Sequence, residues 1–247
     1  MITLKSCPVC KSRNIIKYRE IGTAPHVMCD VMPGVSIETA IITYYFVCQD
    51  CHVIFQNPRM SDEELDKFYG KGYYRLYLNM TDEEKDNDEM HRAKVDSGTI
   101  MESIGKINSH LDIGCSRGYL LELVGADVKV GVETDVDHVT AEGVEVYRQI
   151  SEVPQKSFDL VTAIHTLEHV PDPVSFLKDM IKKVSKKGHL VIEVPTWKSP
   201  GGPLRLPHLY HFEPDVLRLM CREVGLRVLE TKFTPHLLLI CKKASNN

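Results

Sequence analysis

His110-Leu111-Asp112-Ile113-Gly114-Cys115-Ser116-Arg117-Gly118-Tyr119-Leu120 decides the fold: an apolar run, a turn of the form Asp-x-Gly-x-x-x-Gly, then helix-forming residues at once. A short apolar run bounded by turn residues reads as a buried strand. Gly114 and Gly118 let the backbone approach a ligand closely, and the first N–H groups of the following helix are left to face it. Dinucleotide-binding proteins use related turns. Two acids narrow the reading. Asp112 lies inside the turn, and Glu133 ends the next apolar run, Val130-Gly131-Val132, where a carboxylate can accept both hydroxyls of a ribose.

Strand-like runs at 110–113, 128–132, 158–164 and 190–194 alternate with helical stretches at 118–124, 173–184 and 214–224. Two further runs, 226–231 and 236–242, close the chain with only a short link containing Thr234-Pro235 between them. This order predicts an α/β fold: a doubly wound, mostly parallel sheet ending in an antiparallel hairpin, over residues 107–247.

Upstream, residues 1–60 are short strand-like runs broken by Pro and Gly, bounded by Cys7-Pro8-Val9-Cys10 and Cys48-Gln49-Asp50-Cys51. Two such pairs supply four soft thiolates in a tetrahedron, which predicts a small zinc-ribbon module around one structural Zn²⁺ held by Cys7, Cys10, Cys48 and Cys51. A thioredoxin-like redox pair would occur once, beside a βαβ unit. Cys29, His26 and His52 are substitute ligands that four paired cysteines make unnecessary. Residues 61–106 read as a helical linker or lid. Ser61-Asp62-Glu63-Glu64 resembles a capping box, a tyrosine-rich stretch (Tyr69, Tyr73, Tyr74, Tyr77) follows, and a charged piece at 82–92 leads into a helix ending near Gly105.

Composition excludes several classes. A formal net charge of −4 offers no basic stripe for nucleic acid, and Lys182, Lys183, Lys186 and Lys187 read as a solvated face. No apolar run approaches the ~20 residues that cross a bilayer. The opening is polar, not a secretory signal, and the paired cysteines suit a metal in a reducing, cytoplasmic setting.

The turn resembles the first motif of class I S-adenosylmethionine-dependent methyltransferases, Asp-x-Gly-x-Gly-x-Gly, with Ser116 in place of the middle glycine. The segments 158–161 with 165–173, and 188–195, are similar to the fourth and fifth strands of that family and the loop after the fourth. The resemblance implies a Rossmann-like seven-stranded sheet and S-adenosylmethionine as cofactor. It implies Asp112 near the ammonium, Glu133 at the ribose, and Gly114, Cys115 and Gly118 in the cofactor turn, with the Cys115 side chain a packing group. With the cysteine pairs and the tyrosine-rich linker, the chain resembles a subfamily that includes C-methyltransferases of nucleotide-linked deoxysugars. There the linker folds over the cofactor, which brings in Tyr73 and Tyr74, and a histidine in a His-x-x-x-Phe setting lies by the acceptor, which His208 with Phe212 matches. The expected partner is a small-molecule acceptor, a sugar or nucleotide-linked sugar, with His208 as base and Tyr210, His211 and His165 as further catalytic candidates. His169 also falls in this region, where a packing role competes. An inactive zinc-ribbon binding protein on the same fold and a nicotinamide dehydrogenase are the rival readings.

Overall fold

The computed structural model describes residues 1–21, 43–70, 81–154, 157–199, 204–205, 207–234 and 236–244, so Tyr73, Tyr74, Tyr77, His26 and Cys29 lie outside the described residues. The amino-terminal strands β1 (Ile15–Ile21), β2 (Thr43–Cys48) and β3 (Ile54–Gln56) pair antiparallel in sequence order. Helix α1 (Asp62–Gly70) starts on the expected capping box: Glu64 N–H donates to Ser61 Oγ at 3.3 Å, and Ser61 N–H to Glu64 Oε2 at 2.7 Å. The charged piece at 82–92 does not precede a helix but is its first half. Helix α2 (Asp82–Ile104) opens on a second capping box, Thr81 with Glu84.

The large sheet follows. Strands β4 (Ser109–Ile113), β5 (Val128–Val132), β6 (Val144–Tyr147), β7 (Phe158–Ile164) and β8 (Val184–Val194) are parallel. Helix α3 (Tyr119–Val124) follows β4, and α4 (Pro173–Lys183) links β7 to β8. The two-residue strand β9 (Tyr210–His211), α5 (Pro214–Glu223), β10 (Leu226–Phe233) and β11 (Leu237–Lys243) complete the chain. Among the described residues the sheet has seven strands in the order β10-β11-β8-β7-β4-β5-β6, with β11 antiparallel to both neighbours. The expected doubly wound sheet with its terminal hairpin is what the chain forms. Strand β8 starts earlier than expected, taking Val184 from the helix, because residues 185–188 bulge: Phe158 pairs with Val184 but Leu160 with His189. A Cβ on Gly188 would stand 2.6 Å from the Phe158 carbonyl oxygen, so only glycine permits this approach.

Side chains alternate across the sheet as period-2 geometry requires. Leu160, Leu238 and Ile240 face α2 and α3, whereas Leu111, Val161, Leu237 and Leu239 belong to a second buried cluster with Leu177 of α4 and Leu217 of α5. That second cluster runs on without a break into Cys7, Cys48, Phe55 and Met60. The amino-terminal sheet also takes its fourth strand from far along the chain: β9 pairs with β3, Phe55 opposite Tyr210 and Ile54 opposite His211. Among the described residues no helix is long and apolar enough to cross a membrane.

Candidate active site

A cavity of about 650 Å³ opens at the carboxyl ends of β4, β5 and β7, where a doubly wound sheet exposes its loops. Asp112, Gly114, Cys115 and Glu133 all line it, as does His165. Gly114 (φ +77°) and Gly118 (φ +87°) take the left-handed conformation that the turn requires, and so does Ser116 (φ +47°), which replaces the middle glycine. Ser116 is held there at both ends. Its N–H donates to Glu133 Oε2 at 3.0 Å and its hydroxyl to Glu89 Oε2 at 3.0 Å. Glu133 Oε1 accepts further bonds from Thr134 Oγ1 and the Asp135 N–H.

Asp112 is almost wholly buried, and Thr162 Oγ1 donates to it at 2.5 Å. Burial pushes its carboxyl pKa up to about 7; the Thr162 bond opposes this and the charge of Glu133 adds to it. Cys115 is buried with its thiol pushed far up by burial and by the two acids, which suits packing and not nucleophilic chemistry.

Sequence reasoning missed part of this wall. Lys85, Glu89, Arg92 and Asp96 line the cavity from α2, and Lys85 pairs with Glu89 at 3.3 Å. Their spacing of four, three and four is a single helix face, the signal that the charged segment carried. Arg117 Nε meets Asp86 Oδ1 at 2.8 Å and the Tyr119 hydroxyl donates to the same carboxylate, so α2 is tied directly to the glycine turn after β4. Arg148, Gln149, Ile150 and Ser151, after β6, line the end beyond Glu133.

The opposite end carries histidines. His165 adopts φ +50°, rare for a residue with a side chain. Its Nδ1 lies 3.4 Å from Glu168 Oε1 and its Nε2 3.2 Å from Glu193 Oε1. Burial alone would lower its pKa, but the two carboxylates raise it to about 9. His169 also lines the cavity; Tyr69 Oη is 2.7 Å and the Pro207 carbonyl 2.8 Å from its Nδ1. Burial lowers its pKa, against the opposing pull of Glu168.

The other catalytic candidates lie behind this wall. His208 is buried and packs edge-on against His169, ring centroids 4.9 Å apart, without lining the cavity itself. Tyr210 is buried with its hydroxyl donating to the Pro171 carbonyl, and His211 pairs with Glu213 at 3.0 Å beside Trp197. The loop bearing these residues is clamped from two sides. Leu209 N–H donates to the Glu168 carbonyl at 2.7 Å, while buried Tyr45 of β2 bonds to the carbonyls of His208 and Arg205.

Cys7, Cys10, Cys48 and Cys51 bring four sulfurs within 4.8 Å of one another. The two pairs are built alike: Lys11 and His52 each follow a pair in the left-handed conformation, and their N–H groups return to the Cys7 and Cys48 carbonyls. Four sulfurs converging from two matched knuckles are a donor set for a soft tetrahedral cation.

A methyltransferase-domain family matches residues 88–231. The chain is 29% identical to the ubiquinone biosynthesis O-methyltransferase of Neisseria meningitidis (strain Z2491) over 163 residues, covering 52% of this chain and 68% of that protein. The protein of the same name from Aliivibrio fischeri strain MJ11 is 32% identical over 96 residues, so the match spans 32% of this chain and only 41% of that relative. Among solved structures, the Burkholderia thailandensis 1,6-didemethyltoxoflavin-N1-methyltransferase superposes with a TM-score of 0.60 at 19% identity, covering 80% of this chain and 98% of its own. The mitomycin 7-O-methyltransferase gives 0.56 at 14% identity, over 70% of this chain and 57% of that one. The structural likenesses are likenesses of fold, and the sequence match carries the assignment: the chain belongs to the class I S-adenosylmethionine-dependent methyltransferases.

Proposed function

We propose that the chain moves the methyl group of S-adenosylmethionine to a small-molecule acceptor, a sugar or nucleotide-linked sugar, and that its four cysteines hold one structural zinc. One observation carries the transfer: a single cavity is lined by Asp112, Gly114 and Glu133 together with His165 and His169. When bound, the cofactor supplies a methyl group already activated on a positively charged sulfur. Asp112 would hold its ammonium, Glu133 would accept its ribose hydroxyls, and the residues after β6 would enclose its adenine. The protein's remaining work is to align the acceptor and remove its proton. Within the His169–His208 pair, His169 is the member that reaches the cavity, and a neutral imidazole there can take a proton. His208 fixes its ring from behind. The sugar reading rests on the converging cysteines, which match the resemblance drawn from the amino-terminal module.

Turnover with a labelled methyl donor and a panel of sugars and nucleotide-sugars tests the acceptor. Intermediates of ubiquinone biosynthesis, the class named by the relatives, run in parallel. Methylation of those alone would remove the sugar reading. His169→Gln should keep cofactor binding and lower turnover by about 10²–10⁴. An equal loss in His208→Gln with His169→Gln fully active would return the base to His208.

Asp112 also makes binding depend on pH. An acid whose pKa is raised to about 7 holds its proton below that pH, and only the ionised form pairs with the ammonium. Cofactor affinity should therefore rise from pH 6 to 8, by up to about tenfold per unit below pH 7, with proton release on binding. Calorimetry in buffers of different ionisation enthalpy reads this release. An identical pH profile in Asp112→Asn would rule Asp112 out as its source.

A further inference from the structure

We infer that His165, Glu193 and His236 form a second metal site, for a divalent cation of the zinc, manganese or iron(II) type, at the histidine end of the cavity. The fold brings the three to one edge. His165 directly follows β7, Glu193 is the penultimate residue of β8, and His236 directly precedes β11, which runs antiparallel to β8. One ligand atom from each lies within 4.8 Å of the others. Two imidazoles and one carboxylate with open positions suit a borderline transition metal, not calcium or magnesium.

Independent features point the same way. Glu193 is fully buried, and its Oε1 has no hydrogen-bond donor; His165 Nε2, 3.2 Å away, is likewise without a hydrogen bond. Both oxygens of Glu168, fully buried beside His165, also lack hydrogen bonds. Asp96 adds a third buried carboxyl in contact with Glu193. A buried carboxylate oxygen without a donor is costly unless a cation reaches it. The ligands are also oriented from outside, as metal ligands are. Ser199 Oγ engages His236 Nδ1 at 2.7 Å, which leaves Nε2 as its donor atom, and Thr234 Oγ1 donates to Glu193 Oε2 at 3.0 Å. His165 lines the cavity, which brings the site to the cavity wall.

Metal analysis of the 247-residue chain, loaded with Zn²⁺ and desalted, tests this without any acceptor. Two equivalents per chain are expected in the wild type, and one in His236→Asn and in Glu193→Gln. Cobalt substitution separates the two sites: the thiolate charge-transfer band should be unchanged in both variants, and the weaker bands of a nitrogen–oxygen site should vanish. His236 belongs to a loop and is partly exposed, so its variant remains informative where Glu193→Gln fails to fold. A wild type that retains only the thiolate-bound equivalent overturns the proposal. So does a second equivalent that survives both substitutions, or one that is lost in His169→Asn instead. The failure of every acceptor to react would leave these metal counts unaffected.

Discussion

Gly114→Val is expected to abolish S-adenosylmethionine binding while leaving a folded protein. The residue sits at φ +77°, and a Cβ placed there would lie 2.2 Å from Thr166 Oγ1. Thr166 cannot swing aside freely, because its hydroxyl bonds to the carbonyls of Ile113 at 3.0 Å and Ile164 at 3.1 Å. The clash therefore moves the end of β4 or the start of the loop after β7, and both shape the cavity. A branched residue with positive φ adds strain of about 1–3 kcal/mol. Binding should fall below detection by calorimetry, with circular dichroism near that of the wild type. Gly114→Ala combined with Thr166→Ala should recover part of the affinity. Undiminished binding in Gly114→Val would place the cofactor somewhere other than this turn.

Cys48→Ser should have the largest effect on stability. It removes one of the four sulfurs proposed to hold zinc, and metal binding would add its free energy to that of the shared core and the β3–β9 pairing. The thiolate-bound metal should be lost, and the chain destabilised by more than ~4 kcal/mol, the range reached when a metal or a buried network goes. The damage should not stay local. Cys48 ends β2, three residues from Tyr45, whose hydroxyl fixes the carbonyls of His208 and Arg205. Trypsin should accordingly cut after Arg205 far faster in the variant than in the wild type. Retention of the cobalt thiolate band in Cys48→Ser would count against the four-cysteine site.

The parts of this structure that local chemistry dictates were legible in the sequence. Asp112, Gly114 and Gly118 announce a turn because few residues can occupy those backbone conformations, and the alternation of apolar runs orders the sheet. The cysteine pairs declare their own geometry. What the sequence withheld depends on contacts between distant segments. The bulge at 185–188 is set by how closely β8 approaches the Phe158 carbonyl, not by any local preference. Spacing from Phe212 singles out His208, but it does not say which of two rings packed edge-on faces the cavity. Glu193 read as an ordinary strand residue, since nothing in its neighbours signals that His165 and His236 meet it. The stripe from Lys85 to Asp96 was visible as charge. Its inward direction was hidden, because a buried polar face breaks the rule that charged helix faces look outward.

The pairing of β3 with β9 also bears on synthesis. A ribosome releases Ile54–Gln56 long before Tyr210–His211, so about 150 residues must emerge before β3 gains the partner on its second side. Until then the strand offers unpaired N–H and C=O groups to any passing chain. The nascent protein therefore has a prolonged window of vulnerability to aggregation. A truncation that stops before residue 210 would make that window permanent.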